Sequence, residues 1–307
     1  FWLKALKAHD QLASMGLCQG HAVNADGLVP FRGTGGSVRA LIVALDYKYS
    51  PGHELSCGKD AQAIVRLCQR AGVTSMDISV VTDKLLGSPG FPTRQRVLQG
   101  MKQVARQCQA GDWFLWFFAG HGVNVPDATG DEQDGFDEAF VTPDREGRLT
   151  ERAALVDDDF ARTLEHCIPD GVKILCICDC CHSGTICDID SFDYTHEIYQ
   201  ISASKDNEEA VDTGRGGVLT ASLRRTVREL SVKNSEKEFS IQEVFDGCKS
   251  RADKLSDLQE LVLQFHGLHP RYVAWPLCFP WWQYLHHTDG DVSDYEEQSG
   301  QNAAPKL

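Results

Sequence analysis

Two short segments of this 307-residue chain pair a reactive side chain with glycines that open the backbone around it. Phe118-Ala-Gly-His-Gly122 sets His121 between two glycines, and Asp179-Cys-Cys-His-Ser-Gly184 sets Cys181 just after an aspartate. A thiol becomes a strong nucleophile when an imidazole removes or pairs with its proton. Cys181 is therefore read as nucleophile and His121 as base. Glycine permits backbone conformations closed to other residues and lets a substrate chain approach closely. The turn after Cys181 can aim N–H groups at a developing oxyanion, with the backbone amides of Gly122 and Cys181 as donors. His182 adjoins Cys181 and is expected to point away from it. Two blander readings stand beside this one. Free cysteines are usually buried and inert, and Cys181 is one of twelve. Cys176, Cys178, Cys180, Cys181 and His182 also suggest a metal cluster. However, Cys176 and Cys178 alternate in an apolar run, and no second Cys-x-x-Cys pair at zinc spacing exists.

Both segments follow apolar runs, Trp113 to Ala119 and Val172 to Cys178, that read as buried strands. Further strands are expected at Val38 to Tyr47, Ile78 to Thr82 and Ile198 to Ala203. Helices are expected from Asp60 to Ala71, from Pro92 to about Gln109, from about Asp158 to Cys167, and from Val218 to Leu230. Ser240-Ile-Gln-Glu243 is a capping-box signature opening another. An acidic loop is expected after the Trp113 strand. Strands alternating with helices imply an α/β fold, a mostly parallel sheet covered on both faces. Ligands of such sheets sit beyond the carboxyl ends of the strands, which puts His121 and Cys181 on one rim.

Residues 1–17 have helix-like spacing, Gly33 to Gly36 marks the start of the core, and the acidic stretch from Asp289 reads as a disordered tail. The net charge of −14 argues against nucleic acid or an anionic membrane as partner and suits a cationic substrate or a divalent cation. Several cysteines lie inside apolar strands, so a reducing, cytoplasmic setting is expected. No apolar run reaches the ~18 residues of a membrane span. The chain does not begin with Met, which leaves an upstream segment open. Trp275, Trp281, Trp282, Phe279 and Tyr284 read as packing residues.

The two reactive segments, with Asp134-Gly-Phe-Asp-Glu-Ala139, Val156-Asp-Asp158 and Ile201-Ser-Ala-Ser-Lys-Asp206, resemble those of metacaspases, caspase-like cysteine peptidases of the caspase–hemoglobinase fold. The order of segments is similar to that of type I members. The resemblance implies a caspase-like three-layer sandwich divided into a lead segment (1–37), a p20-like catalytic region (38–190), a p10-like region of the same domain (191–288) and the tail (289–307).

It also implies endopeptidase activity after Arg or Lys. Asp179 and Asp60, with Cys57, match the family's substrate pocket. Two carboxylates would bind a guanidinium or ammonium by charge-assisted hydrogen bonds and repel an acidic side chain. Asp60 would equally stabilise the start of its helix. Ala119 departs from the family, which commonly has Ser there, so the pocket lacks a hydroxyl. Calcium is the implied cofactor, with Asp137, Asp157, Asp158 and Asp188 as ligands. Asp157 and Asp158 would also suit a helix N-terminus. No Lys or Arg lies between Ile174 and Ser204, so a basic-specific peptidase could not cut itself there. A single-chain monomer acting on peptides or proteins is expected. The rival reading is a catalytically silent caspase-like scaffold.

Overall fold

The computed structural model describes residues 23–278, apart from 25, 32–34, 84–90, 128–129, 131–134, 207, 209 and 235–236. The expected helix over 1–17, the tail from 289, and Phe279, Trp281, Trp282 and Tyr284 lie outside the described residues.

In chain order the elements are β1 (Val38–Ala44), α1 (Gly58–Arg70), β2 (Ile78–Thr82), α2 (Arg94–Ala105) and β3 (Trp113–Ala119). Next come β4 (Gly122–Pro126), β5 (Phe136–Phe140), β6 (Leu155–Val156), α3 (Asp157–Cys167) and β7 (Lys173–Asp179). The chain continues through β8 (Ile198–Ser202), α4 (Val218–Asn234), α5 (Ile241–Leu255) and β9 (Val262–His266). Six strands form one sheet in the order β2-β1-β3-β7-β8-β9. All its pairings are parallel except β8 with β9. Strands β8 and β9 come from the region after residue 190, so both regions share the sheet.

Strand β3 and the interior of β7, Ile174 to Cys178, are apolar because helices cover both faces, and every residue of β3 is buried. One face packs under α1, α4 and α5 through Ile64, Leu67, Leu219, Leu223, Val244 and Cys248. The other packs under α2 and α3 through Val97, Met101, Phe160 and Leu164. The architecture is the expected α/β three-layer sandwich. At the start of α5, Ser240 Oγ accepts from the Glu243 amide at 3.1 Å and Glu243 accepts from the Ser240 amide at 2.7 Å, completing the capping box.

The stretch expected as an acidic loop is instead flanked by paired strands. β4 and β5 are antiparallel, and β6 joins them in a small second sheet. The sequence hid this because Phe136 is exposed while Asp137 and Glu138 are buried, reversing the usual alternation of a surface strand.

Candidate active site

Ala119 at the end of β3 is in register with Asp179 at the end of β7. His121 and Cys181 therefore leave two adjacent central strands at the same level. Gly122 then packs against the next segment so closely that a Cβ there would overlap the Cys181 carbonyl oxygen. The two backbone segments expected to supply oxyanion donors are thus in contact. A Cβ on Gly120 would come within 2.6 Å of the Tyr47 hydroxyl. Neither glycine has a left-handed φ. The need for glycine around His121 is close contact, not the unusual conformation expected. The described non-glycine residues with positive φ are Tyr47, His182 and Asp188, all near this rim.

His121 Nε2 lies 2.8 Å from the His53 carbonyl. A carbonyl only accepts, so Nε2 carries the proton and Nδ1 is the bare, basic nitrogen. The His121 amide donates to the Tyr47 hydroxyl at 3.1 Å, and that hydroxyl donates to the Val141 carbonyl at 2.8 Å. Burial lowers the proton affinity of His121, which keeps the imidazole neutral near neutral pH. The Cys181 sulfur accepts from the Ala210 amide at 3.2 Å. His182 turns away as expected, its ring bonded to the Asp206 carbonyl and its amide to the Glu208 carbonyl at 3.2 Å. Sequence reasoning missed His53, Tyr47 and Ala210. His53 and Ala210 act through backbone atoms that any residue type supplies, and His53 is 68 residues from its partner. Tyr47 carried a weak signal, a polar aromatic ending an apolar strand.

Cys176, Cys178 and Cys187 are buried in the core on the α2 and α3 face. All described cysteines are free thiols. Burial pushes up the Cys176 and Cys187 thiols, consistent with inert packing residues.

The pocket residues meet beside the rim. Asp60 accepts from the Gly217 amide at 3.1 Å, and Asp179 from the Thr220 amide and hydroxyl at 2.9 and 2.7 Å. Burial, and for Asp60 then the charge of Asp179, pushes both carboxyls above their usual range. Cys57 stands at the N-terminus of α1, and burial followed by Asp60 raises its thiol. Ala119 is buried on the same sheet face as Cys57. A third carboxylate, Asp212, was not anticipated. It accepts from the Ser56 amide and hydroxyl at 2.7 and 2.6 Å.

Of the residues expected to hold calcium, Asp137, Asp157 and Asp188 are buried. Asp157 accepts from the Glu138 and Asp158 amides, each at 2.7 Å. Burial, then Asp188, pushes Asp157 up to about 8. Asp158 lies 3.6 Å from Arg162. Among the described residues no three His, Cys, Asp or Glu side chains converge closely enough to hold a metal ion. The donor chemistry nonetheless suits a hard cation, since Asp157 and Asp188 are buried carboxylates that repel one another.

A family model for the metacaspase, peptidase C14 domain matches residues 38–190. Metacaspase-2 of Arabidopsis thaliana is 33% identical over 155 residues, 50% of this chain and 36% of its own length. Metacaspase-1 of Cryptococcus neoformans is 32% identical over 155 residues, 50% of this chain and 33% of its own. Metacaspase-1A of Aspergillus fumigatus is 29% identical over 192 residues, 62% and 44% of the two chains. The chain thus matches between a third and just under half of the length of these curated relatives. Protein GSU0716 from Geobacter sulfurreducens superposes with a TM-score of 0.58 at 21% identity, over 80% of this chain and 99% of that one, which bears on the fold. The chain belongs to the metacaspases, and its residues 38–190 form a cysteine-peptidase domain of that family. No described helix is long and apolar enough to cross a membrane.

Proposed function

We propose that this protein is a calcium-dependent cysteine endopeptidase that cleaves peptides and proteins after Arg or Lys. The observation that carries the reading is the alignment of the β3 and β7 ends, with His121 Nε2 bonded to a carbonyl. That bond supports the tautomer whose free Nδ1 would take the Cys181 thiol proton. The sulfur then attacks the scissile carbonyl, and the Gly122 and Cys181 amides stabilise the oxyanion. Nδ1–H protonates the departing amine, leaving a thioester on Cys181. Water gives a proton to Nδ1 and attacks the thioester. The product acid leaves, and the sulfur recovers the proton. Asp60 and Asp179 wall the pocket, and a basic side chain beside them would favour their ionised form.

Asp137, Asp157, Asp158 and Asp188 would hold calcium, which when bound would supply positive charge beside Asp157, a carboxyl that burial drives toward protonation. Asp188 is in the loop after the nucleophile and anchors Ser191, whose hydroxyl donates to it at 3.1 Å. The missing basic residues between Ile174 and Ser204 support a single chain that stays intact there during activation, and the family resemblance implies a monomer.

Matched fluorogenic peptides ending in Arg, Lys or Asp, assayed with calcium or chelator, test this reading. Calcium-dependent cleavage after Arg and Lys, absent in Cys181→Ala, is expected. Cleavage after Asp, or activity that survives Cys181→Ala, overturns it. The rival silent-scaffold reading draws on the Ala210 backbone seated on the sulfur, and total inactivity would favour it.

A further inference from the structure

The strap from Ala210 to Gly217 links the nucleophile to the acidic pocket. Its first residue donates its amide to the Cys181 sulfur. Its last two lie on the buried carboxylates, where a Cβ on Gly216 would overlap Asp60 and one on Gly217 would overlap Asp179. Between them the strap alternates. Val211 and Thr213 face a groove of about 430 Å³ that they share with Val218, Ala221, Leu255 and Leu258. Asp212 faces the other way, onto Ser56 at the start of α1.

Resting on the cysteine-peptidase reading above, we propose that Asp212 is the specificity-determining carboxylate that meets the substrate's basic side chain, with Asp60 and Asp179 behind it as buried pocket acids. Asp60 and Asp179 are only 4% and 6% exposed and lie under glycine backbone, whereas Asp212 is half-buried. The Asp212 carboxylate is oriented by neutral donors, the Ser56 amide and hydroxyl and the Gly214 amide at 2.8 Å. Among the described residues it forms no ion pair. It is a pre-oriented anion without a cation. Its charge reaches the pocket and the base alike, opposing ionisation of Asp60, Asp179 and Cys57 and favouring protonated His121. A basic side chain entering between pocket and base would meet Asp212 first.

A purely structural role, fastening the strap to Ser56, makes a different prediction. Asp212→Asn keeps a hydrogen-bond acceptor and removes the charge, while Ser56→Ala loosens the fastening and keeps the charge. The readout is the ratio of kcat/KM for an Arg peptide to that for its citrulline counterpart, a neutral isostere. Asp212→Asn is expected to lower this ratio about 10-fold or more, the size of one charge-assisted hydrogen bond, mainly through KM for the Arg peptide. Ser56→Ala is expected to slow both peptides alike. An unchanged ratio in Asp212→Asn, or an equal drop in Ser56→Ala, overturns the proposal while leaving the peptidase reading intact. Benzamidine protection of Cys181 from iodoacetamide needs no turnover. The intact protein is expected to be protected and Asp212→Asn is not, and equal protection of both also overturns the proposal. If the intact protein shows neither cleavage nor protection, both readings fall together.

Discussion

The pocket acids and the acids expected to hold calcium make an instructive pair. Each group holds a carboxyl pushed toward protonation by burial first, Asp60 then by Asp179 and Asp157 then by Asp188. They differ in construction. The pocket acids are fixed by donors from one strap and the helix after it, Gly217 and Thr220. The second group draws on a strand, a helix start and the loop after the nucleophile, and no three of its ligating side chains converge. Under the proposed function the first is a rigid acidic wall that needs no rearrangement to receive a basic side chain. Under the proposed function the second would have to rearrange to surround an ion, which is the behaviour of a switch. The sign of the electrostatics is the same in both. A carboxyl with a raised pKa favours the folded state below its unfolded value, 3.8 for Asp157, and that contribution is lost as pH rises through about 8. A bound cation reverses the loss.

The largest expected effect comes from the pocket. Asp179→Asn or Asp60→Asn should lower kcat/KM for Arg peptides on the order of 10–100-fold, with little change in the calcium midpoint. A shifted midpoint would show that the two groups are not separate. Next, Asp157→Asn should abolish the calcium-induced rise in Tm. Without calcium at pH 8 it should raise Tm by roughly 2–4 °C, and by less at pH 5, where the native carboxyl is already protonated. A Tm that falls at pH 8 would contradict the repulsion assigned to this group. The pocket pair, with Asp179 pushed up to about 6 and Asp60 to about 8, should make kcat/KM for Arg peptides climb across that pH range. A citrulline peptide should show no such climb. The smallest effect is expected from Ala119→Ser, a few-fold lower KM for Arg peptides from one added hydroxyl.

Much of this was legible in the sequence because it depends on local pattern. Continuous apolar runs marked β3 and β7, and the tendency of ligands to sit beyond the carboxyl ends of parallel strands put His121 and Cys181 on one rim. Asp60 and Asp179 came from the resemblance of the segments around Cys57 and Cys181 to the metacaspase pocket, not from spacing alone. Long-range backbone contacts were not legible. The His53 carbonyl, the Ala210 amide and the Tyr47 hydroxyl act across the chain, and two of the three leave no side-chain signature. Asp212 was missed because an acidic residue in a Gly-rich loop looks solvated until its alternation with Val211 and Thr213 is seen. The hairpin of β4 and β5 was missed because its buried residues are acids.

The central claim is that one thiol among many, Cys181, is activated by His121 beside an acid-lined pocket. Its most direct test is peptide mapping after treatment with an Arg-based irreversible thiol-directed inhibitor. The predicted result is a single adduct on Cys181, lost in His121→Ala and absent with an Asp-based reagent. An adduct on another cysteine, or labelling of Cys181 that is indifferent to His121 and to the basic side chain, would contradict it.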